Sequence, residues 1–163
     1  MSIRKCVLLV LSLGAYSFLS FGAYGKDDQP PLLEKVLEGG IAIDVPSDTT
    51  LVEESPVEDF ILYTLNDKSG KRLLVVYVGN HPQPGSVPRN ADTSTEKIGG
   101  FTARSSEWSN ASGLRSGSVT VQLHPSSGWP ERAQLTYSLL SDTEAKLVAS
   151  VISSLHPSEA ASR

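Results

Sequence analysis

Two runs, Asp59 to Leu65 and Arg72 to Val78, constrain this chain more than any other part of it. Each is apolar on both faces of an extended strand: Phe60 and Leu62 against Ile61 and Tyr63, then Leu73 and Val75 against Leu74 and Val76. A strand of that kind belongs in the middle of a sheet, with material on both sides. Asn66-Asp67-Lys68-Ser69-Gly70 between them is turn chemistry, so the pair is expected to form a hairpin.

The flanking segments add strands of a different character. Ile41-Ala42-Ile43-Asp44-Val45-Pro46 alternates, which places Ile41, Ile43 and Val45 on one side. Ile98 to Trp108 is a weakly patterned strand candidate. Val119 to Leu123 and Ala133 to Leu139 alternate well and expose Thr120, Gln122, Gln134 and Thr136 on their other face. That pattern suits a sheet whose faces are unevenly covered. Between them, Gly79 to Lys97 shows no periodicity, and Pro82, Pro84, Gly85 and Pro88 point to a long loop, a feature that is uncommon in compact domains unless it is functional or disordered.

Helices are expected at the two ends. Pro30-Pro31 precedes Leu32, Leu33, Val36 and Leu37, spaced as one helical face, and Gly39-Gly40 follows. Near the C-terminus, Ser141 and Glu144 match a capping box ahead of the apolar stripe Leu147, Val148, Val151, Ile152 and Leu155, with Pro157 beyond it. The fold class expected is α+β: a largely antiparallel sheet of five to six strands, with a short N-terminal helix in 26–40 and a C-terminal helix packed on the sheet. The single domain spans 41–157, followed by a tail at 158–163.

The first 25 residues read as a secretory signal. Arg4 and Lys5 precede an apolar stretch from Val7, and Ala23-Tyr24-Gly25 places small residues at a cleavage site before Lys26. This predicts a periplasmic or secreted protein with no membrane span after cleavage. The alternative is an uncleaved anchor, since Val7 to Tyr24 lacks charge over a length near the lower limit of a spanning helix. Cleavage would remove the one cysteine, Cys6, and leave 138 residues with twelve basic against eighteen acidic side chains, a net charge of −6. A surface of that sign repels phosphate backbones and argues against nucleic acid as a partner.

No reaction is written into the chain. His81, His124 and His156 each precede proline and lie far apart, without Cys, Asp or Glu at ligand spacing. No serine occupies a G-x-S-x-G frame, and no glycine pair sits in a phosphate-binding frame. Neither a metal nor a cofactor is expected. The aromatic residues are more suggestive: Trp129 lies in the turn Gly128-Trp129-Pro130, and Trp108 ends a strand beside a Ser- and Asn-rich run. Aromatic side chains at irregular positions are typical anchors of protein contacts, although each could equally cap the sheet.

Ile41 to Pro46, Phe60-Ile61-Leu62-Tyr63, Tyr77-Val78-Gly79-Asn80-His81-Pro82 and the run from Gly128 to Leu155 resemble the Mog1/PsbP-like α/β/α sandwich of small exported bacterial proteins. The resemblance covers about residues 41–157. It implies a non-catalytic protein: an accessory subunit, or an immunity protein that plugs a toxin. The cysteine of the family's lipoproteins is absent, and no family active site carries over. The expected function is therefore binding of a protein partner, with Asn80, His81, Trp108 and Trp129 as candidate contact residues. The alternative is a cell-envelope hydrolase with a dispersed Ser/His/Asp site, recognisable by a serine hydroxyl on a histidine that a carboxylate holds.

Overall fold

The computed structural model describes residues 30–57, 59–82, 85, 87–123 and 128–158. The expected signal, His124 and residues 159–163 lie outside them. Among the described residues no helix is long and apolar enough to cross a membrane.

The central hairpin forms as its sequence dictates. β4 (Phe60–Asn66) pairs antiparallel with β5 (Arg72–Gly79), and the Asp67 carboxylate holds the turn by accepting from the N–H groups of Ser69 and Lys71. A seven-stranded, wholly antiparallel sheet is built around it. Its order is β3 (Thr50–Val57), β4, β5, β9 (Arg132–Leu140), β8 (Arg115–Gln122), β7 (Phe101–Ser109) and β6 (Asp92–Ile98). The C-terminal helix α1 (Asp142–Ser153) lies against β9, β5 and β8. Its capping box is complete: the Ser141 hydroxyl accepts from the Glu144 N–H, and the Glu144 carboxylate accepts from the Ser141 N–H. Val148, Val151, Ile152 and Leu155 are buried, and Leu147 packs against the core from its margin.

The expected N-terminal helix is a strand instead. β1 (Leu32–Leu37) pairs antiparallel with β2 (Ile41–Pro46), and His156–Pro157, as β10, completes a separate three-stranded sheet. The helical spacing found no surface to bury. Leu32, Leu33 and Val36 are 61%, 45% and 55% exposed, and only Leu37 enters the core. A helix that short is marginal without packing. Pairing with β2 satisfies the backbone instead, and Gly39 and Gly40, both at positive φ, reverse the chain between the strands. Ser158 belongs to the fold rather than to a tail, being buried with its N–H bonded to the Gly40 carbonyl.

Two further expectations need correction. The large sheet has seven strands rather than five to six, because β3 adds an edge strand and β6 occupies part of the expected 79–97 loop. These are the two edges of the large sheet. Asp-Thr-Ser-Thr-Glu-Lys-Ile is polar on both faces because both faces of β6 meet solvent, and it carries no apolar period to read. The weak candidate 98–108 is a strand over most of its length, β7, but starts later than expected: Ile98 closes β6, and Gly99-Gly100 turns the chain into β7.

Register divides the large sheet into two unlike faces. Tyr63, Val76, Leu135 and Val119 stand abreast on the covered face, in one core cluster with Ile41, Ile43 and Val45 of β2 and the stripe of α1. On the opposite face Leu62, Tyr77, Gln134, Thr120 and Arg104 stand abreast. Among the described residues no helix lies over that face. β4 and β5 were expected to be covered on both sides, yet Phe60, Leu62, Val75 and Tyr77 remain half-exposed there.

Candidate functional site

The uncovered face is hollowed. A depression of about 690 Å³ is floored by Phe60 and Leu62 of β4, Val75 and Tyr77 of β5, Gln134 and Thr136 of β9, and Gly117 and Ser118 of β8. Trp108 of β7 stands on one side, and His81, Gly85 and Val87 stand along another. Its size and largely apolar floor, with a few polar groups placed among apolar ones, are those of a ligand or peptide site.

The floor is shaped by aromatic packing. Phe60 and Tyr77 stack with ring centroids 5.3 Å apart and planes 26° from parallel. The Tyr77 hydroxyl turns back over Gly79 and accepts the His81 N–H at 3.0 Å, which fixes the way the chain leaves β5. Asn80 completes that exit: its side-chain oxygen accepts the Glu131 N–H at 2.9 Å and ties the end of β5 to the start of β9. The Tyr-Val-Gly-Asn segment is thus a corner device.

Two of the four candidate residues line this hollow, and the other two are bonded to segments at its margin. His81, exposed, and Trp108, half-buried, line it. Asn80 is held structurally beside it. Trp129, half-buried, donates its indole N–H to the Asp59 carbonyl at 3.4 Å, and Asp59 is itself part of the hollow's wall. The Trp129–Pro130 peptide bond is cis, and Pro130 packs beside Gly39 of the β1–β2 turn.

Tyr137, beside the hollow, and His156, far from it, both have shifted equilibria. Tyr137 lies against Gly117, where only a glycine leaves room for its ring. Burial first, and then the neighbouring Glu107 carboxylate, push its phenol up to about 12, so it remains protonated and offers an O–H rather than a phenolate. Glu107 in turn is paired with Arg115. His156 is remote from the hollow. Its Nδ1 lies 2.7 Å from the Ser154 carbonyl and its Nε2 3.3 Å from the Glu34 carboxylate. The carbonyl contact first, and Glu34 after it, raise its pKa. Both ring nitrogens therefore face a carbonyl or a carboxylate, and the Ser154 hydroxyl donates to the Val151 carbonyl instead.

Sequence reasoning missed Phe60 and Tyr77 as site residues, because they read as core of a two-sided strand. It also passed over Arg104 and Arg132. These two line a second depression of about 570 Å³ on the same face, with Thr102, Thr120, Gln122 and Gln134. Gln134 borders both depressions. No protein-family model matches the chain, and no curated protein matches it.

Proposed function

We propose that this chain is a non-enzymatic binding module of the cell envelope, exported by its N-terminal signal, that engages a protein partner at the uncovered face of its large sheet. Neutralisation of a toxin is one concrete form. Kinship with Mog1/PsbP-like exported proteins is proposed with it, on the motifs and element order given above. The observation that carries the reading is that His81 and Trp108 line one hollow whose floor is already apolar and aromatic, with Trp129 bonded to Asp59 of its wall. Half-buried aromatic side chains around a concave apolar patch are the arrangement in which interface energy concentrates.

The test is a pull-down from periplasmic extract, followed by affinity measurement on the captured protein. Trp108→Ala should weaken binding by about 2 kcal/mol or more, the scale of an interface anchor. Replacing His81, His124 and His156 together by alanine should leave binding and biological activity nearly intact. For His81, the group held in place is its backbone N–H, which alanine retains. Loss of activity in a folded triple-histidine variant would move the reading to the hydrolase. Unchanged affinity in Trp108→Ala would show that the contact lies elsewhere.

A further inference from the structure

The two depressions on the uncovered face have complementary chemistry. The first is floored by the Phe60–Tyr77 stack, Leu62 and Val75. The second presents Arg104 and Arg132 among threonine and glutamine side chains. They meet at Gln134, which pairs with Tyr77 on one side and with Thr120 on the other. Thr120 pairs in turn with Arg104. The line from Tyr77 to Arg104 therefore crosses three strand spacings, roughly 14 Å. Arg132 stands two residues before Gln134 on β9, next to the same junction.

Neither guanidinium is committed elsewhere. Among the described residues, Arg104 and Arg132 form no ion pair, whereas Arg115 and Lys71 do. No carboxylate lines the depression that holds the arginines, whereas Asp59 lines the aromatic hollow and Glu54 accepts the Thr64 hydroxyl. The chain as a whole carries a formal charge of −4, which makes two free cations beside an apolar hollow a local reversal of sign. A guanidinium is the side chain best matched to a carboxylate or a similar anion, because its fork of N–H donors fits two oxygens.

We infer that the uncovered face binds a small anionic amphiphile, a single apolar chain or ring system ending in a carboxylate or sulfonate. Its body lies over Phe60, Tyr77 and Val75, and its acidic head lies between Arg104 and Arg132. Gln134 marks the boundary between the two parts. This site needs no protein partner, and its test does not pass through one.

The test uses the purified protein with 8-anilinonaphthalene-1-sulfonate as a fluorescent anionic probe and Nile red as a neutral one. The expected result is saturable sulfonate binding at one site per chain. It should be displaced by decanoate but not by decyltrimethylammonium, which has the same chain and the opposite charge. Arg104→Gln with Arg132→Gln should weaken the anionic probe by about tenfold or more, as loss of charge-assisted contacts requires. The same change should leave Nile red unaffected, and lysine at both positions should restore most of the anion affinity. Thr136→Phe, which fills the hollow, should abolish binding of both probes. Both arginines are exposed, so their replacement leaves the core untouched, and near-UV circular dichroism of each variant verifies this. Four results would overturn the inference: no saturable binding, equal displacement by the cationic amphiphile, unchanged anion affinity in the double glutamine variant, or association with phosphatidylglycerol vesicles in place of the free amphiphile.

Discussion

Replacing Gly79 by alanine sets local preference against packing, and the two predict opposite signs. Gly79 lies in a strand and is not among the glycines at positive φ. On local grounds alone, alanine there should stabilise by about 0.5–1 kcal/mol through reduced backbone entropy in the unfolded chain. A Cβ at this position would stand 2.6 Å from the Tyr77 hydroxyl, 2.8 Å from the Asp59 carbonyl oxygen and 2.9 Å from the Phe60 Cβ. The last two contacts are backbone or fixed to it, so no side-chain rotation relieves them. The start of β4 must shift, and overpacking of that kind costs about 1–3 kcal/mol. Displacing the Tyr77 hydroxyl also breaks its bond from the His81 N–H, at about 0.5–1.5 kcal/mol. The packing terms win, and Gly79→Ala should lose about 2 kcal/mol. Urea denaturation with an unchanged m-value measures this. A double-mutant cycle with Tyr77→Phe, which deletes the nearest clashing atom, should show that the two changes together cost less than their sum by about 0.5–1.5 kcal/mol. A stabilised Gly79→Ala, or a cycle that adds without coupling, would refute the claim that Tyr77 is locked over this glycine.

Two further outcomes follow from α1. Glu144 is held at about 2 by Lys71 first and then by the Ser141 N–H and hydroxyl, with Lys71 Nζ only 2.6 Å away. A depressed carboxylate stabilises the fold above its ordinary pKa, and that stability disappears as pH falls from about 4.5 towards 2. Glu144→Gln should therefore cost stability on the order of 1 kcal/mol at pH 7, the scale of a helix cap, and almost nothing near pH 2. Thermal melts across that range would contradict this if the difference between the two proteins stayed constant. Leu155 is fully buried and Lys146 is exposed, so Leu155→Ala should lose about 2–5 kcal/mol and Lys146→Ala very little. Equal shifts in urea midpoint would overturn the assignment of the stripe to the core.

What could be read from the sequence depended on burial. The β4–β5 hairpin, the alternating strands β8 and β9 and the capped helix each bury one regular face, and burial is what writes a period into a sequence. The two edge strands carry no buried period among their described side chains: Val52 to Glu54 and Asp92 to Lys97 are exposed, and only Leu51 and Ile98 reach the core. β1 misled for the same reason: three of its four apolar residues face solvent, and a chance helical spacing was all that remained to read. The site was harder still. Phe60, Tyr77, Trp108 and Gln134 come from four strands and meet only through the pairing order β4-β5-β9-β8-β7. Arg104 and Arg132 line one depression only because β8 joins β7 and β9, the strands that carry them, into one sheet.

The polarity of the uncovered face carries one more lesson about β4 and β5. Thr120, Gln122, Gln134 and Thr136 make that face polar on β8 and β9, although Gln134 is buried and donates to Ser118 rather than facing water, and the register places Leu62, Val75 and Tyr77 on the same face. A sheet face given over wholly to solvent would be polar on all four strands, whereas a face roofed by a second layer would be apolar on all four. This face is neither. Its apolar part lies on β4 and β5, and its cationic part lies towards the other edge, on Arg132, Arg104 and Lys97, the last bonded to Thr102. Exposed apolar surface is costly to keep in water and marks a place that another molecule covers. The two-sided character of β4 and β5, which reads in the sequence as burial between layers, leaves in the fold a partly exposed apolar patch on one face of the sheet, the patch on which the proposed binding rests.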